Sequence, residues 1–251
     1  MGKLQDRVAL VTGSSSGIGR GVAIAFAREG AKVIVNYPDE AEAQNAAAVR
    51  AEVERMGTQA LDVRADVSIE HEAEKLVETV QRNFGRLDIL VNNAGIGNVA
   101  RVEAMAPSQW DRMIAVNLRS VFLCTHFVLP IMYRQDYGRI ISTASQLAYK
   151  GSAGLAHYCA AKAAIIAFTR SLSHEIGTSN ITANCVAPGA TQTRMVEGID
   201  KDLMDSLLAS IPKRRLATVD EIVPAYVFLA SDEARHFVGQ CLSPNGGDVM
   251  L

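Results

Sequence analysis

The sequence is poor in the features that mark membrane, secreted and nucleic-acid-binding proteins. Its 251 residues include only four cysteines and one tryptophan. No uncharged apolar run reaches the roughly 18 residues that a membrane span needs, and the N-terminus lacks the apolar stretch of a secretion signal. The formal net charge is only -2, so no basic surface predicts binding to nucleic acid. We therefore expect a cytoplasmic protein without a membrane or nucleic-acid partner.

The cysteines are also too widely spaced to form a recognisable site. They are Cys124, Cys159, Cys185 and Cys241, and no pair has CxxC spacing. The histidines lack metal-ligand spacing as well, so we expect reduced structural thiols and no metal. In contrast, hydrophobic residues make up 49% of the chain. This composition excludes a disordered protein and can supply a sizeable core.

Short β-branched runs alternate with longer segments whose apolar residues recur at helical spacing. The predicted strands are Val8–Val11, Lys32–Asn36, Ala60–Val63, Leu87–Val91, Arg139–Thr143, Ile181–Val186 and Gln240–Ser243. A helical segment follows each of the first six strands; the fourth begins at Pro107 and runs past Asn117, and the fifth spans about 152–176. This order predicts a single doubly wound, Rossmann-type α/β domain over residues 1–251. Its mostly parallel seven-stranded sheet carries helices on both faces.

Residues 190–217 show little periodicity. Stretches of this kind are often mobile loops near a binding site. Because one sheet uses nearly the whole chain, no separate substrate domain remains, and we expect residues 190–217 to form the substrate loop. Arg194 within it is interpreted as an exposed loop arginine in preference to a contact for an acidic substrate. After this stretch, Thr218 and Glu221 form a capping box that begins the last long helix.

A glycine- and serine-rich loop, residues 12–19, links the first strand to the first helix. Its glycines permit a tight turn and a close approach of the backbone to a pyrophosphate, while the helix N-terminus offers free N–H groups and a positive dipole. We therefore predict that this loop binds a dinucleotide. The residues involved are Gly13, Ser14, Ser15, Ser16, Gly17, Ile18 and Gly19.

The residues at the end of the second strand influence whether such a fold binds NAD(H) or NADP(H). An acid there would bind the ribose 2′-hydroxyl and repel a 2′-phosphate, but this chain has Asn36 and Tyr37. No basic residue follows directly, and the next charged residues are acidic. The hydroxyls of Ser14 and Ser15, with Arg20, are candidates for holding a phosphate. We favour NADP(H) and keep NAD(H) as the alternative.

Tyr158 and Lys162 lie four residues apart in the fifth predicted helix, on one face. A free tyrosine has a pKa of about 10 and is a poor base at neutral pH. A neighbouring ammonium favours the phenolate and lowers that pKa, so the tyrosine can exchange a proton with a substrate hydroxyl or carbonyl. Alone, this spacing is common and also fits a half-exposed helix face.

Combined with the glycine loop, this pair makes the chain resemble the short-chain dehydrogenase/reductase family over essentially its whole length. Further motifs of the family follow in order: Asp66-Val67, Asn92–Gly95, Asn117, Ser145 thirteen residues before Tyr158, Pro188-Gly189, and Gly246-Gly247. The resemblance implies that the catalytic residues are Asn117, Ser145, Tyr158 and Lys162. It also implies cofactor contacts from Asn36, Tyr37, Asp66, Val67, Asn93, Ala94, Gly95, Tyr158, Lys162, Pro188, Gly189, Thr191 and Thr193.

For two of these residues, the sequence itself gives a reason for the expected role. Asn117 is a poor choice for a helix interior, because its side chain competes for backbone hydrogen bonds; a bent helix with a water at the freed carbonyl would explain it. Ser145 directly follows the fifth strand, where its hydroxyl can polarise a carbonyl oxygen, and the thirteen-residue offset favours it over nearby Ser142. A substrate wall is expected from Gln146, Leu147, Tyr149, residues 189–195 and the loop to Pro212.

The activity that the resemblance implies is reversible hydride transfer between NADP(H), or NAD(H), and a small carbonyl/alcohol substrate. Within the family, the runs Arg139–Ser145 and Asn184–Gly189 look like the 3-oxoacyl-[acyl-carrier-protein] reductase-like group, which makes a 3-oxoacyl thioester a candidate substrate. A sugar, polyol or other secondary-alcohol dehydrogenase stays open, as does a non-catalytic dinucleotide-binding regulator. The family also implies a homotetramer, with contacts expected from the fourth and fifth helices and from Ser243–Leu251.

Overall fold

Seven strands form one sheet in the computed structural model, which describes residues 2–198 and 200–250. The strands are β1 (Val8–Val11), β2 (Lys32–Tyr37), β3 (Ala60–Arg64), β4 (Ile89–Asn92), β5 (Gly138–Thr143), β6 (Ile181–Val186) and β7 (Cys241–Leu242). Their order is β3-β2-β1-β4-β5-β6-β7, and every described pairing is parallel. The predicted doubly wound fold is confirmed, and each expected strand is present within two residues of its predicted bounds.

Helices cover both faces of this sheet. They are α1 (Gly17–Arg28), α2 (Ala43–Glu54), α3 (Glu70–Phe84), α4 (Pro107–Ile114), α5 (Ser120–Gln135), α6 (Leu147–Lys150), α7 (Ala156–Ile176), α8 (Lys201–Ser210) and α9 (Val219–Ala230). In β1, Ala9 and Val11 pack with α1, α2 and α9, while Val8 and Leu10 pack with α3, α5 and α7. A strand buried on both faces must be apolar at every position, which explains the unbroken apolar run of β1.

The fourth predicted helix is continuous but irregular. Its regular halves, α4 and α5, are joined by a π-helical turn, Ala115–Arg119, which contains Asn117. The stretch Pro107–Gln135 is long and apolar enough to cross a membrane by length and composition. Half of its apolar window is buried, however, and Leu123, Cys124 and Val128 pack into the apolar layer beneath the sheet. It is therefore packed as a core helix.

Residues 190–217 are more ordered than their weak sequence pattern suggests. They contain a 3₁₀ turn, Arg194–Val196, and the helix α8. The carboxylate of Asp200 caps α8 by accepting hydrogen bonds from the backbone N–H groups of Asp202 and Leu203. This helix was not predicted from the sequence, because it is short and none of its residues is fully buried.

The sheet topology brings the predicted site residues to one edge. All strands are parallel, so their carboxyl ends meet at the same edge, and the chain reverses its order between β1 and β4. Open α/β sheets bind ligands outside the carboxyl ends of the strands at such a reversal. The glycine loop follows β1 there, and the segments after β4, β5 and β6 lie beside it.

Candidate functional site

The glycine loop is tightly folded and pressed against the end of β4. Gly13 and Gly17 have φ values of +59° and +57°, a conformation that strains any other residue. A Cβ atom on Gly13 would lie 2.9 Å from Cα of Ala94, and one on Gly19 would lie 2.4 Å from Nδ2 of Asn93. Glycine is therefore required for this close packing as well as for the turn.

The N-terminus of α1 fits an anionic group. The side chain of its N-cap residue, Ser16, makes no capping hydrogen bond, which leaves the first N–H groups of the helix facing the cleft without help from that side chain. Such N–H groups and the helix dipole attract phosphate oxygens. With the small residues of the loop, this arrangement fits a dinucleotide pyrophosphate.

Buried polar side chains hold the loop in place from the β4 side. The Thr12 hydroxyl oxygen accepts hydrogen bonds from the backbone N–H groups of Asn93, at 2.9 Å, and Ala94, at 3.0 Å. In return, the Asn93 amide donates to the carbonyl oxygens of Thr12, at 2.9 Å, and Gly13, at 3.1 Å. The side chain of Asn93 therefore shapes the cofactor loop, and a direct contact with the cofactor remains a prediction.

The end of β2 braces the loop from the other side. Oδ1 of Asn36 accepts from the Gly13 N–H at 3.1 Å, and its amide donates to the Ala65 carbonyl at 3.0 Å. The Ser14 hydroxyl is fully buried and donates to the Val11 carbonyl at 2.7 Å. Buried polar groups normally need such partners. These side chains therefore serve the fold of the loop, and the Ser14 hydroxyl is engaged away from the position where we expected it to hold a phosphate.

A second polar cluster, formed by Ser15, Glu42 and Arg194, was not predicted from the sequence. The Ser15 hydroxyl donates to Oε2 of Glu42 at 2.7 Å. Both carboxylate oxygens of Glu42 also accept from the guanidinium of Arg194, at 3.0 and 3.1 Å. The hydrogen bonds from Arg194 and then Ser15 lower the pKa of Glu42 to about 2. The carboxylate is therefore charged at neutral pH.

The predicted adenine contact is already part of a local network. Oδ1 of Asp66 accepts from the backbone N–H of Ser68 at 3.0 Å and from its hydroxyl at 2.6 Å. Arg112 donates to Oδ2 at 3.0 Å. Val67 is buried in the apolar layer that includes α3. The adenine contact itself remains a prediction for this turn.

The predicted catalytic side chains converge at the carboxyl end of β5. The Ser145 hydroxyl lies near the Tyr158 phenol. On the next turn of α7, Lys162 is 4% exposed, donates to the Thr143 carbonyl at 2.7 Å, and has its Nζ 5.7 Å from the Tyr158 ring centre. Ser142 is buried and accepts from the Asn92 amide at 3.4 Å, so it faces away from this group. The geometry favours Ser145, as the spacing predicts.

Burial sets the protonation of the catalytic pair. It raises the pKa of Tyr158, and the nearby Ser145 hydroxyl opposes this rise. Burial also lowers the pKa of Lys162 to about 8. The sequence predicts that the ammonium lowers the tyrosine pKa, but in this structure burial is the largest influence and the pKa is raised. At neutral pH the tyrosine hydroxyl therefore carries its proton and can donate it.

Asn117 lies in the π-helical turn and points toward the catalytic lysine. Its amide donates to the carbonyls of Ile96, at 3.1 Å, and Met113, at 3.2 Å. Its buried Oδ1 has no hydrogen-bond partner within the described part of the chain. A Cβ atom on Gly95 would lie 2.7 Å from this oxygen and 3.6 Å from Nζ of Lys162. The missing side chain of Gly95 thus leaves a polar gap between them, which suits a bridging water.

The segment after β6 closes the other side of the cleft. The Thr191 hydroxyl donates to the Gly189 carbonyl at 2.9 Å, and the Thr193 hydroxyl to the Thr191 carbonyl at 3.4 Å. A Cβ atom on Gly189 would lie 2.7 Å from Cα of Asn245, so Gly189 is needed for the close approach that follows Pro188. These contacts fix the turn, and its contact with the nicotinamide remains a prediction.

The residues lining the substrate side differ in part from the expected wall. Met195 lies across the cleft near Gly97, with its Sδ 3.6 Å from where a Cβ on Gly97 would stand. Val99 follows in the loop after β4 and is 76% exposed; that loop was not predicted to contribute. Gln146, which was expected in the wall, is buried and donates to Asp248 at 2.6 Å.

Known proteins resemble this chain over nearly its full length. A family model described as "Enoyl-(Acyl carrier protein) reductase" matches residues 13–248. The 3-oxoacyl-[acyl-carrier-protein] reductase of Synechocystis sp. is 40% identical over 252 residues, covering 100% of both chains. The 3-oxoacyl-[acyl-carrier-protein] reductase FabG of Staphylococcus epidermidis is 38% identical over 245 residues, covering 98% of this chain and 100% of the relative.

Solved structures agree with this similarity. A putative short-chain alcohol dehydrogenase from Sinorhizobium meliloti 1021 has a TM-score of 0.94 and 34% identity, covering 98% of this chain and 97% of its own. Levodione reductase has a TM-score of 0.93 and 33% identity, covering 97% of this chain and 98% of its own. The chain therefore belongs to the short-chain dehydrogenase/reductase family and is an NAD(P)-dependent oxidoreductase of CH–OH and C=O groups.

Proposed function

We propose that this chain reduces the 3-oxo group of an acyl thioester with NADPH as the reductant. The observation that carries the chemistry is the convergence of Ser145, Tyr158 and the buried Lys162 at the carboxyl end of β5, beside the glycine loop. The choice of thioester is supported by the similarity, over the whole chain, to proteins named 3-oxoacyl-[acyl-carrier-protein] reductase.

The cofactor-binding residues divide into three groups along the cleft. The loop of residues 13–19 and the N-terminus of α1 would hold the pyrophosphate. Asp66 and Val67 would contact the adenine. The nicotinamide half would lie against residues 93–95 and 188–193. When bound there, the cofactor supplies a hydride to the carbonyl carbon and accepts one in the reverse reaction.

The protein orients the carbonyl and supplies its proton. The hydroxyls of Ser145 and Tyr158 donate hydrogen bonds to the carbonyl oxygen and stabilise the negative charge that develops on it. Tyr158 then transfers its phenolic proton to that oxygen. The Lys162 ammonium, oriented by the Thr143 carbonyl, stabilises the phenolate that remains. Asn117 would position a water that returns a proton from solvent through Lys162.

The walls of the cleft favour an acyl chain over a polyol. Val99 and Met195 present apolar side chains at the opening, 76% and 54% exposed. Residues 190–217, which contain both Met195 and α8, would act as the substrate loop. A sugar or polyol would instead need several polar groups on these walls. Sugars, polyols and other secondary alcohols are therefore the second candidate class of substrate.

A substrate panel tests this proposal. Purified protein is assayed with acetoacetyl-coenzyme A, a cyclic ketone and a keto sugar, each with NADPH and with NADH. We expect the thioester with NADPH to have the highest kcat/KM. A higher value for the sugar would contradict the proposed substrate, and equal values with both cofactors would contradict the cofactor preference. Cofactor binding without reduction of any carbonyl would favour the regulator instead.

We also propose a homotetramer in the cytoplasm. Trp110 on α4 and Phe122 on α5 are 41% and 50% exposed, which is unusual for large apolar side chains in a monomer. A symmetric contact between copies would cover them. The expected contribution from 243–251 includes Leu251, which lies outside the described residues. Light scattering coupled to gel filtration should give four times 26.9 kDa, and a monomer would contradict the assembly.

A further inference from the structure

Arg194 has no part in the mechanism above, yet it crosses the cofactor cleft. It follows β6, whereas its partner Glu42 precedes α2 and follows β2. Three strands separate β2 from β6 in the sheet, which corresponds to roughly 19 Å at the usual strand spacing. Thr193 lies beside the glycine loop, with its Cγ2 3.6 Å from where a Cβ on Gly17 would stand. The segment therefore passes over the loop and delivers a guanidinium to the adenosine side.

The other guanidinium groups described on that side of the cleft, those of Arg20 and Arg64, are already paired with acids. Arg20, the basic residue of the loop region, binds Glu52 at 2.6 Å. The side chains of Ser14 and Asn36 are engaged within the fold. The chain after β2 is acidic at positions 39 and 40. A phosphate dianion in this place needs a cation, and a guanidinium is well suited because its N–H groups pair with two phosphate oxygens at once.

We propose that Arg194 is the residue by which this chain selects NADP(H) over NAD(H), by binding the 2′-phosphate of the adenosine ribose. Glu42, itself held by the Ser15 hydroxyl, holds the guanidinium at the ribose until the phosphate takes over the contact. This inference rests on the proposed function, since it assumes that the chain uses nicotinamide dinucleotides with NADP(H) preferred.

The electrostatics of the cluster make the role of Arg194 measurable. Glu42 is charged at neutral pH, and its side chain is only 20% exposed. Replacing Arg194 removes the cation and also leaves this carboxylate facing the phosphate. The binding of NADPH should weaken far more than the binding of NADH, because a phosphate monoester adds roughly 1.5 to 2 negative charges at neutral pH. Replacing Glu42 instead frees Arg194, so NADPH binding should be kept or strengthened.

The test compares dissociation constants of NADPH and NADH for the purified full chain, measured by titration calorimetry. We expect Arg194→Gln to weaken NADPH binding by roughly tenfold or more, the scale of a lost charged hydrogen-bond pair, and to change NADH binding by less than about threefold. Arg194→Lys should recover part of the loss. Arg50→Gln is the matched control. Arg50 lies on α2, away from the cleft, and its guanidinium pairs with Asp62 at 2.6 Å.

Two further variants separate the proposal from its rivals. Arg64, paired with Glu40 at 3.3 Å, is the other guanidinium at this edge. A selective NADPH loss in Arg64→Gln with none in Arg194→Gln would overturn the proposal. In the double variant E42Q/R194Q, NADPH binding should stay weak; full recovery would mean that Arg194 only neutralises Glu42. Equal losses for both cofactors in Arg194→Gln would also overturn it.

The wild-type measurement separates failure of this inference from failure of the proposed function. If wild-type protein binds NADPH more tightly than NADH but Arg194→Gln keeps that preference, only the role of Arg194 is rejected. If the wild type binds neither cofactor, or prefers NADH, the proposed cofactor is rejected together with the inference. Thermal unfolding of each variant checks that the fold is kept.

Discussion

The two sides of the cleft are built in different ways. On the dinucleotide side, polar groups such as those of Ser14 and Asn36 are buried and bound to backbone atoms. On the substrate side, the apolar side chains of Val99 and Met195 are largely exposed. A cofactor shared by many enzymes needs a rigid frame, while a specific substrate is selected by side chains that can change without disturbing the sheet.

The largest effect is expected where the two sides meet, at the proton donor. Tyr158→Phe removes one hydroxyl and keeps the ring, so kcat should fall by about 10²- to 10⁴-fold, the usual contribution of a positioned acid. NADPH binding, measured by titration, should change little. Tyr133→Phe removes the same atom from an exposed ring on α5 and is the control. Activity above about one tenth of wild type would argue that another group donates the proton.

A smaller but clear effect is expected for the brace of the glycine loop. Asn36→Ala leaves the Gly13 N–H and the Ala65 carbonyl without their side-chain partner. Each buried group left unpaired costs about 1–3 kcal/mol, so the free energy of unfolding should fall by about 2 kcal/mol or more. Asn83→Ala, on the exposed face of α3, should stay within about 0.5 kcal/mol. Equal effects in urea titrations would show that the dinucleotide side is no more rigid than the surface.

The sequence predicts this braced side well because backbone geometry restricts its residues. Gly13 and Gly17 have positive φ values that few other residues tolerate, so glycine marks the turn even in one sequence. Asn117 stands out in a helical pattern for a similar reason, and the π-helical turn confirms the predicted irregularity. Glu42 and Arg194 could not be found in this way. They are 152 positions apart and meet only through the tertiary fold, so no local spacing identifies the pair.

The buried lysine should lower stability while it serves catalysis. Its folded pKa, about 8, lies below the ordinary value of 10.5, so folding is opposed wherever the lysine is charged when unfolded. Lys162→Met should therefore raise the free energy of unfolding of the cofactor-free protein by about 1–3 kcal/mol at pH 7. The gain should shrink as the pH rises from 8 toward 10.5, where the wild-type lysine is neutral in both states.

Activity provides the second readout for this variant. Lys162→Met should lose most of its turnover although it unfolds at a higher temperature, which is the trade-off expected of a functional group held in an unfavourable site. The Thr143 carbonyl loses its donor in this variant, so the gain is smaller than burial alone would give. A lower free energy of unfolding across the range from pH 6 to 10 would contradict the account of Lys162 as a buried cation.

The smallest effect on stability, and the one that defines the substrate side, is expected at Met195. Its side chain is 54% exposed and reaches over Gly97, so Met195→Ala should change the free energy of unfolding by less than about 0.5 kcal/mol. The KM for a 3-oxoacyl thioester should rise by several fold, and the rise should grow with acyl-chain length as more apolar surface loses its contact, about 25 cal/mol for each Å². The KM for NADPH serves as the internal control and should not change. A rise in KM that is independent of chain length would place the acyl chain elsewhere in the cleft, because only a side chain lying along the acyl group can respond to its length.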